Sequence, residues 1–182
     1  MQTGPEYSVL VLLTSGSIQE VVERQAQQEL GLAFRPTWVK TASGKPFLLE
    51  APHWYFSISH AGTVAGVAFA RTPVGLDLEP ADRPVYPVLA RRFTPAEQAF
   101  IQAGDSQRLL QVWTQKEAYL KWRGGGIGEG LNQFNVLAPE NLGVDFWPLP
   151  AAAGPSNAEG GELLGWVCVA RGTASGLKVT WV

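Results

Sequence analysis

Asp77 and Glu79 stand two positions apart in the apolar run Val74-Gly75-Leu76-Asp77-Leu78-Glu79. Side chains alternate across an extended strand, so both carboxylates project from one face while Val74, Leu76 and Leu78 take the other. Two acids on one face repel each other. A solvated edge-strand face would tolerate that repulsion, and a bound divalent cation would resolve it. A third carboxylate, Glu117, lies in Trp113-Thr114-Gln115-Lys116-Glu117-Ala118-Tyr119-Leu120-Lys121. At helical spacing Trp113, Glu117, Leu120 and Lys121 share one surface. An exposed i,i+4 ion pair there would be worth only about 0.3–0.5 kcal/mol, but the bulk of Trp113 argues for a covered face.

Three carboxylates without His or Cys among them suit a hard, oxygen-seeking ion such as Mg2+, which leaves positions open for phosphate oxygens. Phosphoryl chemistry is the natural use of such a set. Lys116 and Lys121 beside Glu117 would offset charge on phosphate oxygens, and Lys45 and His60, close to turn glycines, would hold further phosphates. There is no G-x-x-x-x-G-K-[ST] loop, because Gly44-Lys45 runs into Pro46, and a P-loop nucleotidase is excluded. The glycines between Gly124 and Gly130 read as a helix exit.

The elements that must position these groups follow from periodicity and punctuation. Tyr7 to Leu13 is a buried strand. Ile18 to Leu30 is an amphipathic helix stopped by Gly31. Thr37–Val39 and Phe47–Leu49 are short strands around the turn Ser43-Gly44-Lys45-Pro46. Tyr55–Ile58 and Val64–Ala70 are strands flanking the polar stretch Ser59-His60-Ala61-Gly62. Thr94-Pro95-Ala96-Glu97 opens a helix with an N-cap, a first-turn proline and a capping box, and a longer helix runs from Gln107 to Trp122. Phe134–Val136, Gly165–Ala170 and Leu177–Val182 read as strands, with a mobile Pro/Ala/Gly-rich loop from Pro148 to Gly161. The pattern predicts an α+β fold of antiparallel sheets in two similar lobes meeting near Pro73 to Gly75, residues 1–73 and 74–182.

Composition narrows the function further. A hydrophobic share of 46% with 16% charged residues is globular. A net charge of −2 supplies no global field for nucleic acid or an anionic membrane, so neither is expected as a partner. The single Cys168 sits in an apolar run as a buried, inert thiol. No apolar stretch approaches the ~20 residues of a membrane helix, and without a basic leader a cytoplasmic location is expected.

In order along the chain stand SGKPF, FSISHAG, VGLDLE, VWTQKEAYLK, a glycine-rich turn and GLNQFNV. Together they resemble the 4'-phosphopantetheinyl transferases of the Sfp type, whose pattern is a G-K-P turn, an S-H knot after a strand, a G-(I/V)-D-x-E strand and a W-x-x-K-E-(A/S)-x-x-K helix. Ala61 and Pro80 depart from it, standing where many relatives have a serine and a basic residue. The resemblance implies a monomeric pseudodimer of two α+β lobes with coenzyme A in the cleft between them. It implies Mg2+ on Asp77, Glu79 and Glu117, and coenzyme A phosphates on Lys45, Ser59 and His60. Lys116 and Lys121 would flank the pyrophosphate. The implied reaction moves the 4'-phosphopantetheine arm to a serine of an apo acyl or peptidyl carrier protein, with Glu117 and Lys121 as catalytic residues and Glu97 as a second candidate base. Arg91, Arg92 and Phe93 form a candidate carrier-docking patch. A non-catalytic carrier- or coenzyme-binding module and a magnesium-dependent nucleotide pyrophosphohydrolase are the rival readings.

Overall fold

The computed structural model describes residues 8–102, 105–125, 130–150 and 162–182. Nine strands and four α-helices occur among them: β1 Val9–Thr14, α1 Ile18–Leu30, β2 Trp38–Lys40, β3 Pro46–Leu48, β4 Tyr55–Ala61, β5 Val64–Ala70, β6 Val74–Pro80, α2 Pro95–Ile101, α3 Ser106–Arg123, α4 Pro139–Leu142, β7 Val144–Pro148, β8 Leu163–Ala170 and β9 Leu177–Trp181. A 3-10 turn at Pro87–Arg92 precedes α2. The α+β class is as expected. Three sheets form, with orders β4-β5-β1-β9, β2-β3 and β6-β8-β7, and all pairings but one are antiparallel. The exception is β9, which lies parallel to β1, so the last strand of the chain completes the sheet begun by the first.

Local chemistry explains most boundaries. The Ser17 side chain caps α1, and Gly31 ends it with φ 65°, a left-handed value that costs glycine nothing. Thr94 and Glu97 form the expected capping box at α2. Asp105 caps α3 and Gly124 closes it.

The layers run α1, first sheet, β6-β8-β7 sheet, α3. Leu10, Leu12, Val67, Phe56 and Phe69 pack beneath α1. The opposite face of that sheet, through Val9, Val11, Leu13 and Ala68, meets Val74, Leu76, Leu78, Val167 and Val169 of the second sheet. The outer face of the second sheet, with Cys168, packs with Leu109, Val112, Ala118 and Leu120 of α3. Strand β6 therefore turns its even-numbered side chains to the core between the sheets and its odd-numbered ones, Gly75, Asp77 and Glu79, toward α3. Cys168 is buried as expected, and burial pushes its thiol well above the usual range.

Three expectations change. Ser59, His60 and Ala61 continue β4 rather than breaking it. Phe134–Val136 is not a strand: the carbonyl of Phe134 accepts from Lys116 and the N–H of Val136 donates to Glu97, so this backbone is satisfied by buried side chains and needs no ladder. Val144–Pro148, absent from the sequence reading, pairs with β8. Tyr7 and positions 151–161 of the expected loop lie outside the described residues, as do 126–129 of the glycine run. No helix among the described residues is long and apolar enough to cross a membrane.

The tightest approach between α3 and β6 is at Gly75. A Cβ there would lie 1.9 Å from the Ala118 carbonyl oxygen and 2.5 Å from the Trp122 nitrogen, both backbone atoms. Gly75→Ala must push α3 off the strand, and a destabilisation of about 3 kcal/mol, at the upper end for an overpacked core, is expected in urea unfolding. A loss below about 1 kcal/mol would show that the helix is not pinned there.

Candidate active site

The odd face of β6 and one face of α3 bring the chemistry together. Asp77 is 5% exposed and Glu79 7%, so neither is the solvated edge acid that a D-x-E pair most simply suggests. Lys121 Nζ, from the last turn of α3, donates to Asp77 Oδ1 at 2.7 Å and to Ser59 Oγ at 3.1 Å. Ser59 Oγ in turn donates to Asp77 Oδ1 at 3.1 Å and accepts from the backbone N–H of Leu78 at 3.0 Å. Ser57 does the same for the N–H of Leu76 at 3.0 Å. The two serines thus satisfy the β6 backbone where it faces β4 without a ladder, and they fix β6 against the first sheet.

Glu79 accepts from Trp113 Nε1 at 2.8 Å and from Arg83 on the same oxygen, Oε1. Trp113 and Glu117 are one helical turn apart, so the residue that shields Glu117's face also grips Glu79. Glu117 keeps its Oε1 buried without a hydrogen-bond partner, and so does Asp77 with its Oδ2. Burial, reinforced by the Asp77 charge, pushes the Glu117 carboxyl up to about 7. Burial also raises Asp77, outweighing the opposing pull of Lys121.

A buried carboxylate oxygen without a donor is costly unless something fills the place. Two such oxygens, one from the strand and one from the helix, beside a third carboxylate, are donors of the chemical type that a hard divalent cation such as magnesium takes. As they stand, Asp77 is engaged by Lys121 and Ser59 and Glu79 by Arg83 and Trp113. Among the described residues, no three His, Cys, Asp or Glu side chains form a ready-made cluster for an ion.

The other predicted residues divide. Lys45, from the turn between β2 and β3, donates to the carbonyl oxygens of Val74 at 2.9 Å and Lys121 at 2.6 Å. It ties that turn to the C-terminal end of α3, where carbonyls lack intrahelical partners. Burial pulls its ammonium down to about 8. Lys45 and Lys121 line a common cleft of about 220 Å³ with Ser43, Gly44, Gly124 and Gly125, a two-lysine, glycine-walled hollow suited to phosphate oxygens. His60 is exposed on the face of β4 opposite Ser57 and Ser59, so strand alternation separates it from Ser59.

Lys116 does not join the site. It is fully buried, 2.8 Å from Glu97, and donates to the carbonyls of Leu131 and Phe134 at 2.7 Å each. Its ammonium also faces the rings of Phe134 and Phe93. Adjacent residues on a helix point about 100° apart, and Glu117 takes the direction toward β6. Glu97 is likewise 0% exposed. Its oxygens serve Thr94, Lys116 and the N–H of Val136, which removes it as a base. Phe93, 1% exposed, is core and drops out of the docking patch. Sequence reasoning missed Arg83, Ser57 and the Trp113–Glu79 bond. The Glu79-to-Arg83 spacing was the available signal for the first.

Comparison with known proteins bears on this part of the chain. Residues 73–146, from the start of β6 through α3 into β7, match the sequence model of the 4'-phosphopantetheinyl transferase superfamily. The 4'-phosphopantetheinyl transferase psf-1 of Bacillus pumilus is 32% identical over 104 residues, 54% of this chain and 44% of that protein. The 4'-phosphopantetheinyl transferase Sfp of Bacillus subtilis (strain 168) is 32% identical over 98 residues, 51% and 43% respectively. A phosphopantetheinyl transferase of Thraustochytrium sp. (strain ATCC 26185 / S-3) is 29% identical over 133 residues, 62% and 46%. The resemblance read from the order of motifs holds in these matches, and the chain spans under half the length of the relatives it matches.

The raised Glu117 carboxyl makes the stability of the ion-free protein depend on pH. Its folded-state value near 7 exceeds the ordinary 4.5, so the folded protein binds this proton more tightly than the unfolded chain. The resulting stabilisation is complete below the lower value and lost as pH rises through the higher. In chelator-treated protein the melting temperature should fall between about pH 5 and about pH 8, and Glu117→Gln should flatten that fall. An unchanged slope in the variant would show that Glu117 is not the group responsible.

Proposed function

We propose that this chain transfers the 4'-phosphopantetheine group of coenzyme A to a serine of an apo carrier protein, with magnesium held by Asp77, Glu79 and Glu117. The single observation that carries this reading is the pair of bare, buried carboxylate oxygens on Asp77 and Glu117, next to the lysine-lined cleft and inside the stretch that matches the transferase family. Because the matched relatives are more than twice as long as the shared stretch, their printed activity comes to this chain as a proposal.

The serine hydroxyl attacks the pantetheine-side phosphorus. A new oxygen–phosphorus bond forms as the pyrophosphate bridge breaks, and adenosine 3',5'-bisphosphate leaves with the electron pair. When bound, the magnesium ion neutralises pyrophosphate charge. The chain's own residues do the rest. Lys121 and Lys45 offer ammonium groups to phosphate oxygens from one cleft, and positioning with charge neutralisation is most of what phosphoryl transfer needs. Glu117, facing the reacting groups from α3, is assigned acceptance of the serine proton, directly or through a water. Ser59 holds Asp77 and Lys121 in register, and His60 keeps a place in the proposal only at the outer rim.

The cleft is read as the junction of two lobes, residues 1–73 and 74–182, with β9 of the second segment crossing over to pair with β1 of the first, the whole acting as one monomeric unit. Its walls come from Ser43, Lys45 and Ser57 on one side and Lys121 on the other. Carrier docking is assigned to a groove of about 530 Å³ beside Trp113, lined by Arg83, Tyr86, Val88, Arg91 and Arg92. Tyr86 is 74% exposed and Val88 61%, and this apolar surface edged by arginines complements an acidic amphipathic helix.

Incubation with coenzyme A, magnesium and an apo carrier, followed by mass spectrometry, tests the proposal. One phosphopantetheine added to the carrier is expected, with Asp77→Ala and Glu117→Ala each reducing the rate roughly a hundredfold or more. Reversal of the Arg91 and Arg92 charges should raise KM for the carrier and not for coenzyme A. Hydrolysis of coenzyme A without carrier labelling would favour a pyrophosphohydrolase, and no reaction with either would favour a binding module.

A further inference from the structure

Strand β6 ends at Pro80, and the chain turns at once: the backbone N–H of Arg83 donates to the Pro80 carbonyl at 3.0 Å. The turn folds Arg83 back over the strand, where its guanidinium pairs with Glu79 Oε1 beside the Trp113 indole N–H on the same oxygen. Three carboxylates, Asp77, Glu79 and Glu117, then face two cations, Lys121 and Arg83. A divalent ion added to that set turns a deficit of one positive charge into a surplus, and like charges held close in a partly buried space repel strongly.

The two cations are not equally easy to move. Lys121 is carried on a packed helix, is held by Asp77 and Ser59, and its side chain is 28% exposed. Arg83 sits on a turn with its side chain 44% exposed. It lies over the Trp113 ring with 5.9 Å to the centroid and borders the open groove of Tyr86 and Val88. An arginine can leave a carboxylate and keep a favourable place over an aromatic face.

We propose that Arg83 is an internal counter-ion that competes with the divalent cation for Glu79. The ion displaces it toward the Trp113 groove, and Arg83 thereby sets how tightly the ion is held. This inference rests on the reading of the three acids as a cation site, and goes beyond it by assigning a role to a residue outside the donor set.

Calorimetric titration of the full chain with Mn2+ alone, without coenzyme A or carrier, separates the two. Arg83→Gln keeps hydrogen-bonding capacity and removes the charge, and should bind Mn2+ about fivefold tighter than the unaltered protein, the size of an ordinary ion pair. Arg92→Gln removes a neighbouring positive charge that does not touch Glu79 and should leave affinity within about twofold. In the unaltered protein the Arg83 side-chain Nε–H resonance should shift on Mn2+-free titration with Mg2+. Equal affinity for Arg83→Gln and the unaltered protein, or equal tightening by both variants, overturns the role of Arg83 while leaving the cation site standing. Absence of any binding by the unaltered protein overturns both.

Discussion

The approach of α3 to β6 over Gly75 is the contact on which the chemistry depends. With no side chain at that position, the helix backbone at Ala118 and Trp122 lies against the strand. That contact sets Glu117 and Lys121, on the same helix face, next to Asp77, two residues further along the strand. A displacement of an ångström or two would leave Lys121 out of reach of Asp77, because a charge-assisted hydrogen bond spans only about 2.7–2.9 Å. On the other side, the hydroxyls of Ser57 and Ser59 satisfy the β6 amides, so the strand is pinned between α3 and the first sheet without a ladder to β4.

Around that pinned strand the protein stores opposite charges in two different ways. Glu97 and Lys116 are buried completely, and every oxygen and ammonium proton has a defined task in holding the segment after α3. Such a pair is worth little over an apolar substitute but is costly to break on one side. Asp77 and Glu117, by contrast, each keep one buried oxygen bare, an arrangement that structural economy alone does not favour. Neighbouring residues of one helix, Lys116 and Glu117, thus belong to opposite regimes, one to the core and one to the site.

The sequence carried the strand and helix that hold the acids because their signals are local: alternation at Asp77 and Glu79, helical spacing at Trp113, Glu117 and Lys121, and caps at Thr94 and Gly31. It misled where side chains override backbone habit. Phe134–Val136 has the β-branched and aromatic character of a strand, but its amide and carbonyl groups are taken by Glu97 and Lys116. Lys116 looked like a phosphate ligand because it adjoins Glu117 in sequence, whereas helical geometry points it elsewhere. The parallel β1–β9 pairing joins the two ends of the described chain, a long-range contact that no local pattern encodes. Arg83 was within reach of a sequence reading through its four-residue spacing from Glu79, but Pro80 between them speaks for a turn and the pairing geometry comes only from that turn.

The central claim is that acids from a strand and a distant helix share one cation. Anomalous diffraction at the manganese edge, from crystals grown with Mn2+ and coenzyme A, tests it directly. The account predicts a single strong peak bounded by the carboxylates of Asp77, Glu79 and Glu117. A peak elsewhere, or separate weak peaks on individual acids, would contradict it.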